Sequence, residues 1–179
     1  LPEVLLLTLG ILILVIDPFI KKGNHHRAIL GWMTAAGLLV ILILSLLLGI
    51  PIEPKAAFGG MIRFDLLGFL FKAFFLFAGV ITAFFIMDVE KVGERAEAYF
   101  LLVASIIGMC LMASAADLVM LYLAIETTSI PLYILAGFLK DDDQSVESGF
   151  KYLLFGAMTS AILLYGFSLI YGFTGLTSL

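Results

Sequence analysis

One stretch limits what this chain can fold into more than any other: residues 117–140, DLVMLYLAIETTSIPLYILAGFLK. The 22 residues between its charged ends are apolar or weakly polar, with the single exception of Glu126. Because about 20 apolar residues are enough to cross a bilayer, the stretch predicts a membrane-spanning helix with a carboxylate near its middle. A charged side chain at that depth costs about 2.5–3.5 kcal/mol on insertion scales, so it calls for a partner or a function.

The predicted helix carries a polar stripe and a backbone defect. At a period of 3.6 residues, one face joins Glu126 to Tyr122, Ser129 and Tyr133. Pro131 has no backbone N–H, so it leaves the carbonyl of Thr127 without its helical partner. In lipid such a group persists only where protein or water satisfies it. The stripe is therefore predicted to face other helices or a hydrated cavity.

Composition places the whole chain in a membrane and excludes several classes of protein. Of its 179 residues, 63% are hydrophobic and 13% charged, against about 45–50% and 25% in soluble domains. The net charge of −4 is no signature of nucleic-acid binding. The single cysteine, Cys110, excludes an internal disulfide and leaves too few thiolates for an iron–sulfur cluster. The only histidines, His25 and His26, lie in a loop, which argues against a haem within the membrane.

The apolar segments predict an all-α integral membrane protein with six transmembrane helices. They cover roughly residues 4–20, 28–50, 66–87, 98–116, 117–140 and 149–172. Between the second and third segments, Gly59-Gly60 suits a tight hairpin. Beyond the acidic turn 140–143, Ser145 is a candidate start for the sixth helix.

The distribution of Lys and Arg predicts the orientation. Six of these residues lie in the loops after spans one, three and five, and two, Lys55 and Arg63, lie on the opposite side. Loops rich in Lys and Arg stay in the cytoplasm. Residues 21–27, 88–97 and 140–148 are therefore predicted to be cytoplasmic.

Three charged residues inside the spans are the candidate functional residues: Glu126, Lys72 and Lys151. Glu126 could be a protonated acid that ties two helices together, but intramembrane acids usually mark ion or proton pathways, which favours a functional role. Lys72 shares a face with Gly68, Gly79 and Ala83, and snorkelling to the outer interface is an equal alternative to a role inside the membrane. For Lys151, a snorkelling side chain and a relay residue both remain open. The predicted proton path contains all three residues.

The stretch from Tyr99 to Gly172 resembles the antiporter-like membrane subunits of respiratory complex I. The resemblance rests on LVMLYLAIETTSIPLYILAGF, on the acidic turn after it, and on ESGFKYLLFGAMTSAILLYGFSLIYG. Its specific elements are a glutamate ahead of Ser-x-Pro-Leu-Tyr in the fifth span and Phe-Lys-Tyr-x-x-x-Gly in the sixth. The segment FGGMIRFDLLGFLFKAFFL extends the resemblance to nearly the whole chain.

This resemblance implies a fold and a division of the chain. The fold would be the antiporter-like one, built from inverted five-helix repeats, with this chain as the N-terminal part of a longer subunit. Residues 1–97 would be three N-terminal transmembrane helices, and residues 98–179 the start of the proton-conducting domain, incomplete here. Glu126 would be the key glutamate of the fifth span, and Lys151 the lysine of the sixth span that tunes it.

The resemblance also implies an activity. The chain would belong to a membrane subunit of proton-translocating NADH–quinone oxidoreductase, itself without a cofactor. NADH, FMN, iron–sulfur clusters and quinone would be bound by other subunits of the complex. Its partners would be other membrane subunits and the lipid bilayer, with no nucleic acid. It would lie, as a multi-pass protein, in the cell inner (plasma) membrane of a bacterium or archaeon.

Two alternatives remain open at this point. One is a subunit of a multi-component sodium/proton antiporter or of a membrane-bound hydrogenase, since these relatives are similar around the glutamate. The other is a structural membrane scaffold with no ion path, in which Glu126 stays protonated. A water chain or a partner cation at Glu126 would speak against the scaffold.

Overall fold

The computed structural model describes residues 2–20, 26–51 and 54–179. Of the predicted basic loop, residues 21–27, the first five residues, 21–25, lie outside these ranges. Within them the helices follow in the order α1 (Pro2–Ile16), α2 (His26–Leu48), α3 (Leu66–Asp88), α4 (Glu90–Gly93), α5 (Ala96–Met112), α6 (Leu118–Ala136) and α7 (Asp143–Thr174). A hairpin of strands β1 (Lys55–Ala57) and β2 (Ile62–Phe64) stands between α2 and α3.

The helices confirm the predicted all-α membrane fold. In the described part of the chain, five are long and apolar enough to span a membrane: α1 with the turn that extends it to Phe19, α2, α3, α6 and α7. The remaining apolar helix, α5, has 17 residues and is shorter. Each of the six predicted segments overlaps one of these helices.

The fourth predicted span ends earlier than expected, at Met112 instead of residue 116. The residues after it leave the helix because they bond to the hairpin. The N–H of Arg63 donates to the carbonyl of Ser114 at 2.8 Å, and the N–H of Ala116 donates to the carbonyl of Met61 at 2.9 Å. Residues 113–117 thus form a turn followed by a short connection that pairs with β2.

The core lies where α1, α2, α3 and α5 pack together as a bundle. Its largest fully buried side chains include Leu6, Ile13, Leu38, Leu76, Tyr99 and Ile106. The face of α3 that Lys72 shares with Gly68, Gly79 and Ala83 is buried. Helix α6 packs against α5, and α7 packs against α6.

One end of the molecule is closed by short β-type pairings, and we call it the hairpin end. It consists of β1 and β2, the connection 113–117 and residues 177–179. The predicted hairpin is confirmed, and its turn needs glycine because Gly59 and Gly60 have φ of 68° and 96°. Bridges between Ile62 and Ala115 and between Asp117 and Ser178 join the three segments.

The turn between α6 and α7 lies at the opposite end. Helix α7 begins at Asp143, two residues before the predicted start at Ser145. The reason is that Asp142 caps the helix, since its side chain accepts from the N–H of Gln144 at 3.1 Å. Ser145 instead ties the turn to α6, since its hydroxyl donates to the carbonyl of Ala136 at 3.2 Å.

Candidate functional site

Helix α6, which carries Glu126, is fixed at the hairpin end by Asp117. This buried carboxylate caps the helix by accepting from the backbone N–H groups of Val119 at 2.9 Å and Met120 at 3.4 Å. A hydrogen bond from the Thr177 side chain lowers the pKa of Asp117 from its ordinary value of 3.8 and is the largest influence on it. Burial raises the pKa, and the N–H groups of Val119 and Met120 lower it further. The start of α6 is therefore tied to the segment after α7.

In the middle of α6, the hydroxyl groups satisfy the helix's own carbonyls. Thr127, Thr128 and Ser129 donate to the carbonyls four residues earlier, at 2.7, 2.9 and 2.8 Å. Ser129 shares the predicted stripe with Glu126, yet its hydroxyl hydrogen goes to the carbonyl of Ile125. The hydroxyls of this region thus do not serve as donors to the carboxylate.

Glu126 lies near the centre of α6 and is half-buried. Its Oε1 atom is fully buried and has no hydrogen-bond partner among the described residues. An unpaired polar atom in an apolar surrounding costs about 1–3 kcal/mol, so such an atom in a native fold calls for an explanation. A carboxyl group with one free buried oxygen can bind a proton, a cation or a water molecule.

The approach of α5 to α6 is closest beside this glutamate. A Cβ atom at Gly108 would overlap the Oγ1 and N atoms of Thr128, and would lie 2.8 Å from the carbonyl carbon of Thr127. The Thr127 carbonyl is the one that receives no helical hydrogen bond, because Pro131 has no N–H to donate. The absence of a side chain at Gly108 thus allows this close contact between α5 and α6. The Oγ of Ser105, a turn earlier in α5, is also buried without a hydrogen-bond partner in the described part of the chain.

Helix α7 covers the tyrosine-bearing side of α6. The Tyr133 hydroxyl and ring lie directly over Gly156, and the ring packs edge-on against Tyr152, with centroids 4.8 Å apart. At the hairpin end, Tyr122 lines a groove of about 340 Å³ with residues of α7. The predicted stripe therefore faces a neighbouring helix at both of its ends.

The structure places Lys151 away from Glu126. The Lys151 side chain is 64% exposed, and its Nζ donates to Glu147, one turn earlier in α7, at 2.5 Å. Since Gly149 packs on Gly137 and Gly156 on Tyr133, Lys151 lies level with α6 residues about ten positions from Glu126. At 1.5 Å per residue this is a separation of about 15 Å along the helix.

The structure also places Lys72 apart from Glu126, in the bundle on the other side of α5. Lys72 is only 6% exposed, and its Nζ donates to Oε1 of Glu3 in the first turn of α1, at 2.5 Å. The Phe64 ring lies 5.2 Å from the same Nζ. The ammonium group therefore does not snorkel freely to the interface. It is held by a buried ion pair.

Sequence reasoning missed Glu3, which it placed outside the first span. A usable signal was present, because a buried lysine needs a counter-charge and the first and third spans begin at the same end of the molecule. Ser105 was missed as well, and nothing in its sequence context distinguishes it from other small residues of α5. No group of three or more His, Cys, Asp or Glu side chains that could hold a metal ion occurs among the described residues.

A family model described as "NADH:quinone oxidoreductase/Mrp antiporter, TM" matches residues 115–179, the part that contains α6 and α7. NADH-quinone oxidoreductase subunit N 2 of Rhizobium meliloti (strain 1021) is 36% identical over 99% of this chain and 37% of its own length. Subunit N of Rhodospirillum rubrum is 38% identical over 99% of this chain and 36% of its own. The chain thus spans about a third of the length of these relatives.

Solved structures share the fold. Respiratory complex I from Thermus thermophilus with bound aureothin contains a chain that matches all of this one and 38% of its own length, with a TM-score of 0.80 and 28% identity. The Mrp complex from Dietzia sp. DQ12-45-1b matches 99% of this chain and 20% of its own, with a TM-score of 0.73 and 19% identity, a likeness of fold alone. The membrane-bound sulfane sulfur reductase is similar in the same way, with a TM-score of 0.68 and 22% identity.

The apolar helices and the matching membrane family confirm the expected location, a multi-pass protein of the cell inner membrane. Together, the sequence matches along the whole chain and the shared fold confirm the resemblance that the motifs predicted. This chain belongs to the family of antiporter-like membrane subunits of the complex I kind, and the relatives it matches along its full length, of which it spans about a third, are named NADH-quinone oxidoreductase subunit N.

Proposed function

We propose that this chain forms part of a membrane subunit of proton-translocating NADH–quinone oxidoreductase and that Glu126 carries protons in it. The observation that supports the proposal most is the Oε1 atom of Glu126, buried in the centre of an apolar helix without a hydrogen-bond donor among the described residues. If Glu126 only joined two helices, this oxygen would accept from the neighbouring helix. A proton carrier instead needs an oxygen that is free to take up and release a proton.

The backbone around Glu126 supports the same role. Pro131 frees the carbonyl of Thr127, and Gly108 lets α5 approach that carbonyl closely. A free carbonyl and a free carboxyl oxygen are both hydrogen-bond acceptors, so water entering this region would find partners within one turn. Water molecules linked to a carboxyl group are a usual route for protons through a membrane protein.

The two lysines of the predicted path would act differently from Glu126. Lys151 is exposed and lies about 15 Å from the level of Glu126, so we propose that it tunes the glutamate through its charge and through water. Lys72 is already paired with Glu3. Its role in the path stays a prediction, and the ion pair favours a fixed charge at this position.

The cofactors and partners of the complex would lie elsewhere. We propose that this chain is redox-inactive and that NADH, FMN, iron–sulfur clusters and quinone bind to other subunits. Many side chains of α6 and α7 are apolar and exposed, among them Ile130, Ile134, Phe155 and Ile162, which fits contact with lipid and with other membrane subunits. The division into residues 1–97 and residues 98–179 also stays a prediction. Helix α5, in which the division falls, packs against α1 and α3 of the bundle and against α6.

The test is the Glu126→Gln variant in the assembled complex. Glutamine keeps the size and hydrogen-bonding capacity of the side chain but cannot titrate, so the number of protons translocated per NADH oxidised in membrane vesicles should fall sharply. Glu126→Asp should have a milder effect, because the carboxyl group remains. Glu97→Gln, the same change at an exposed position in the first turn of α5, is the matched control and should pump normally.

Assembly is checked separately on native gels. Normal pumping by a fully assembled Glu126→Gln complex would refute the proton-carrier role and support the scaffold. The second candidate is a sodium/proton antiporter subunit, because the description of the matching family model names the Mrp antiporter beside NADH:quinone oxidoreductase. In that case the flux lost in Glu126→Gln would depend on sodium and not on NADH oxidation.

A further inference from the structure

A cavity of about 420 Å³ opens at the hairpin end, between the ends of α1, α2 and α3 and beneath β1 and β2. Its walls are apolar and come from all three helices, with Leu5, Leu44, Leu48 and Phe69 among them. Leu44 and Leu48 are also exposed on the surface of α2, so the cavity is continuous with the side of the bundle that faces lipid. Its volume is in the range of small-molecule sites, about 300–1,000 Å³.

The depth of this cavity matches the boundary between lipid and water. Asp65, which caps α3, lies at the rim, and Lys72 lies at the inner limit, seven residues further on. At 1.5 Å per residue the cavity thus reaches about 10 Å into the membrane. The polar headgroup layer on each side of a bilayer is about 5–8 Å thick. A molecule that fills the cavity would place its polar part at the rim and its apolar part among the leucines.

Two of the three charged side chains at the rim, Lys55 and Arg63, are positive, and the third is that of Asp65. Lys55 and Arg63, the two cations that the sequence assigns to the outer side, both line this one cavity. In the hairpin Lys55 lies directly opposite Phe64, so both side chains are on the same face of the sheet. This face points towards Lys72, because the Phe64 ring lies close to the Lys72 ammonium group. In the described part of the chain, no carboxylate lies within ion-pair distance of Lys55.

Two of the described acids near the cavity, Asp65 and Glu3, already have partners. Asp65 accepts from the Nε of Arg63 at 3.0 Å and from the N–H of Gly68 at 2.8 Å, and Glu3 is paired with Lys72. The bond to Asp65 uses one N–H of the Arg63 guanidinium and leaves its other donors available. As far as the described residues show, the rim therefore offers one ammonium without a counter-ion and one partly free guanidinium, the groups that bind phosphate.

From these observations we infer that the cavity binds one anionic phospholipid of the outer leaflet. Its phosphate contacts Lys55 and Arg63, and the first part of an acyl chain lies against Leu44, Leu48 and Phe69. The lipid would hold the hairpin against the ends of α1–α3. The inference does not depend on a proton path through Glu126, which lies in α6.

The test is native mass spectrometry of the full chain released from nanodiscs with equal amounts of phosphatidylglycerol and phosphatidylcholine. The wild-type chain should retain one phosphatidylglycerol in preference to phosphatidylcholine. Lys55→Gln should weaken this retention about fivefold, the change that corresponds to about 1 kcal/mol for one cation near anionic lipid. Lys55→Gln/Arg63→Gln should abolish the preference. Lys140→Gln, an exposed cation in the turn between α6 and α7, is the matched control and should retain the lipid as wild type does.

Two further arms separate the lipid from a free anion. Ala73→Phe, which fills the cavity while keeping both cations, should prevent retention of phosphatidylglycerol. Circular dichroism checks that this variant is folded, and Leu48→Trp replaces it if it is not. Excess inorganic phosphate should not displace the lipid. Equal retention of both lipids, an effect of Lys140→Gln as large as that of Lys55→Gln, or displacement by phosphate would overturn the inference.

Discussion

At the scale of single residues, two lysine–glutamate ion pairs in the described part of the chain have the same 2.5 Å distance and opposite environments. Lys72 and Glu3 are 7% and 18% exposed, whereas Lys151 and Glu147 are 64% and 62% exposed. A buried charge that loses its partner destabilises a fold by about 3–5 kcal/mol. An exposed pair of helix neighbours contributes about 0.3–0.5 kcal/mol. The two pairs should therefore respond very differently to substitution.

Removing one member of the buried pair should be costly, and removing both should not. We expect Lys72→Met to lower the free energy of unfolding by about 3–5 kcal/mol, because it removes the ammonium group that balances the charge of the Glu3 carboxylate, and Glu3→Leu/Lys72→Met to recover most of that loss. Lys151→Met is the control and should change stability by less than about 1 kcal/mol. Thermal unfolding in nanodiscs measures all three. A single variant as stable as the double variant would show that the pair is not a buried counter-charge.

The partner of Lys72 illustrates what sequence can and cannot supply. The presence of a charge inside the third span follows directly from the residue pattern. The choice of Glu3 depends on how α1 packs against α3, over a separation of 69 residues, and no local pattern encodes that contact. For the same reason the distance between Lys151 and Glu126 depends on the register of α6 against α7, which Gly137, Gly149 and Gly156 set by close packing.

At the scale of elements, apolar length predicted every membrane helix, while the ends depended on hydrogen bonds that length does not show. Helix α5 ends at Met112 because the following residues pair with β2. Helix α7 starts at Asp143 because Asp142, and not Ser145, caps it. Capping residues and turn residues compete within a few positions, so the boundary is decided by which side chain reaches a free N–H.

The cap of the Glu126 helix has a predictable dependence on pH. The pKa of Asp117 is lowered in the folded chain, so its contribution to stability is present above the ordinary value of 3.8 and is lost as the pH falls through the lower, folded value. We expect Asp117→Ala to lower the free energy of unfolding by about 1 kcal/mol at neutral pH. Below pH 3.8 the difference in this free energy between the variant and wild type should be smaller. Thermal unfolding at neutral and acid pH measures this. Asp141→Ala, an exposed acid that caps no helix, is the control. A difference between Asp117→Ala and wild type that does not shrink in acid would contradict the assignment.

At the scale of the whole molecule, the connections alternate between two ends. The hairpin, residues 113–117 and residues 177–179 share one end, and at the other end Arg95 lies over the ring of Phe138. This arrangement agrees with spans that cross in alternating directions. The distribution of Lys and Arg predicts that the hairpin end is outside the cell.

Labelling of introduced cysteines tests that orientation. The native Cys110 is buried and is replaced by alanine as a background. Ala56→Cys at the hairpin and Asp141→Cys in the turn after α6 are both exposed positions. In intact cells, a membrane-impermeant maleimide should label Ala56→Cys, and it should label Asp141→Cys only after the cells are opened. Labelling of both in intact cells would show that the predicted sides are wrong.

Infrared difference spectroscopy of the assembled complex measures directly whether Glu126 changes its protonation state during turnover, as we propose. With NADH and quinone supplied, we expect a carboxyl C=O band that appears and disappears with turnover, that is absent in Glu126→Gln and that shifts in heavy water. Glu97→Gln should leave the band unchanged. A Glu126 carboxyl band that stays constant between the resting and working complex would contradict the proton-carrier role.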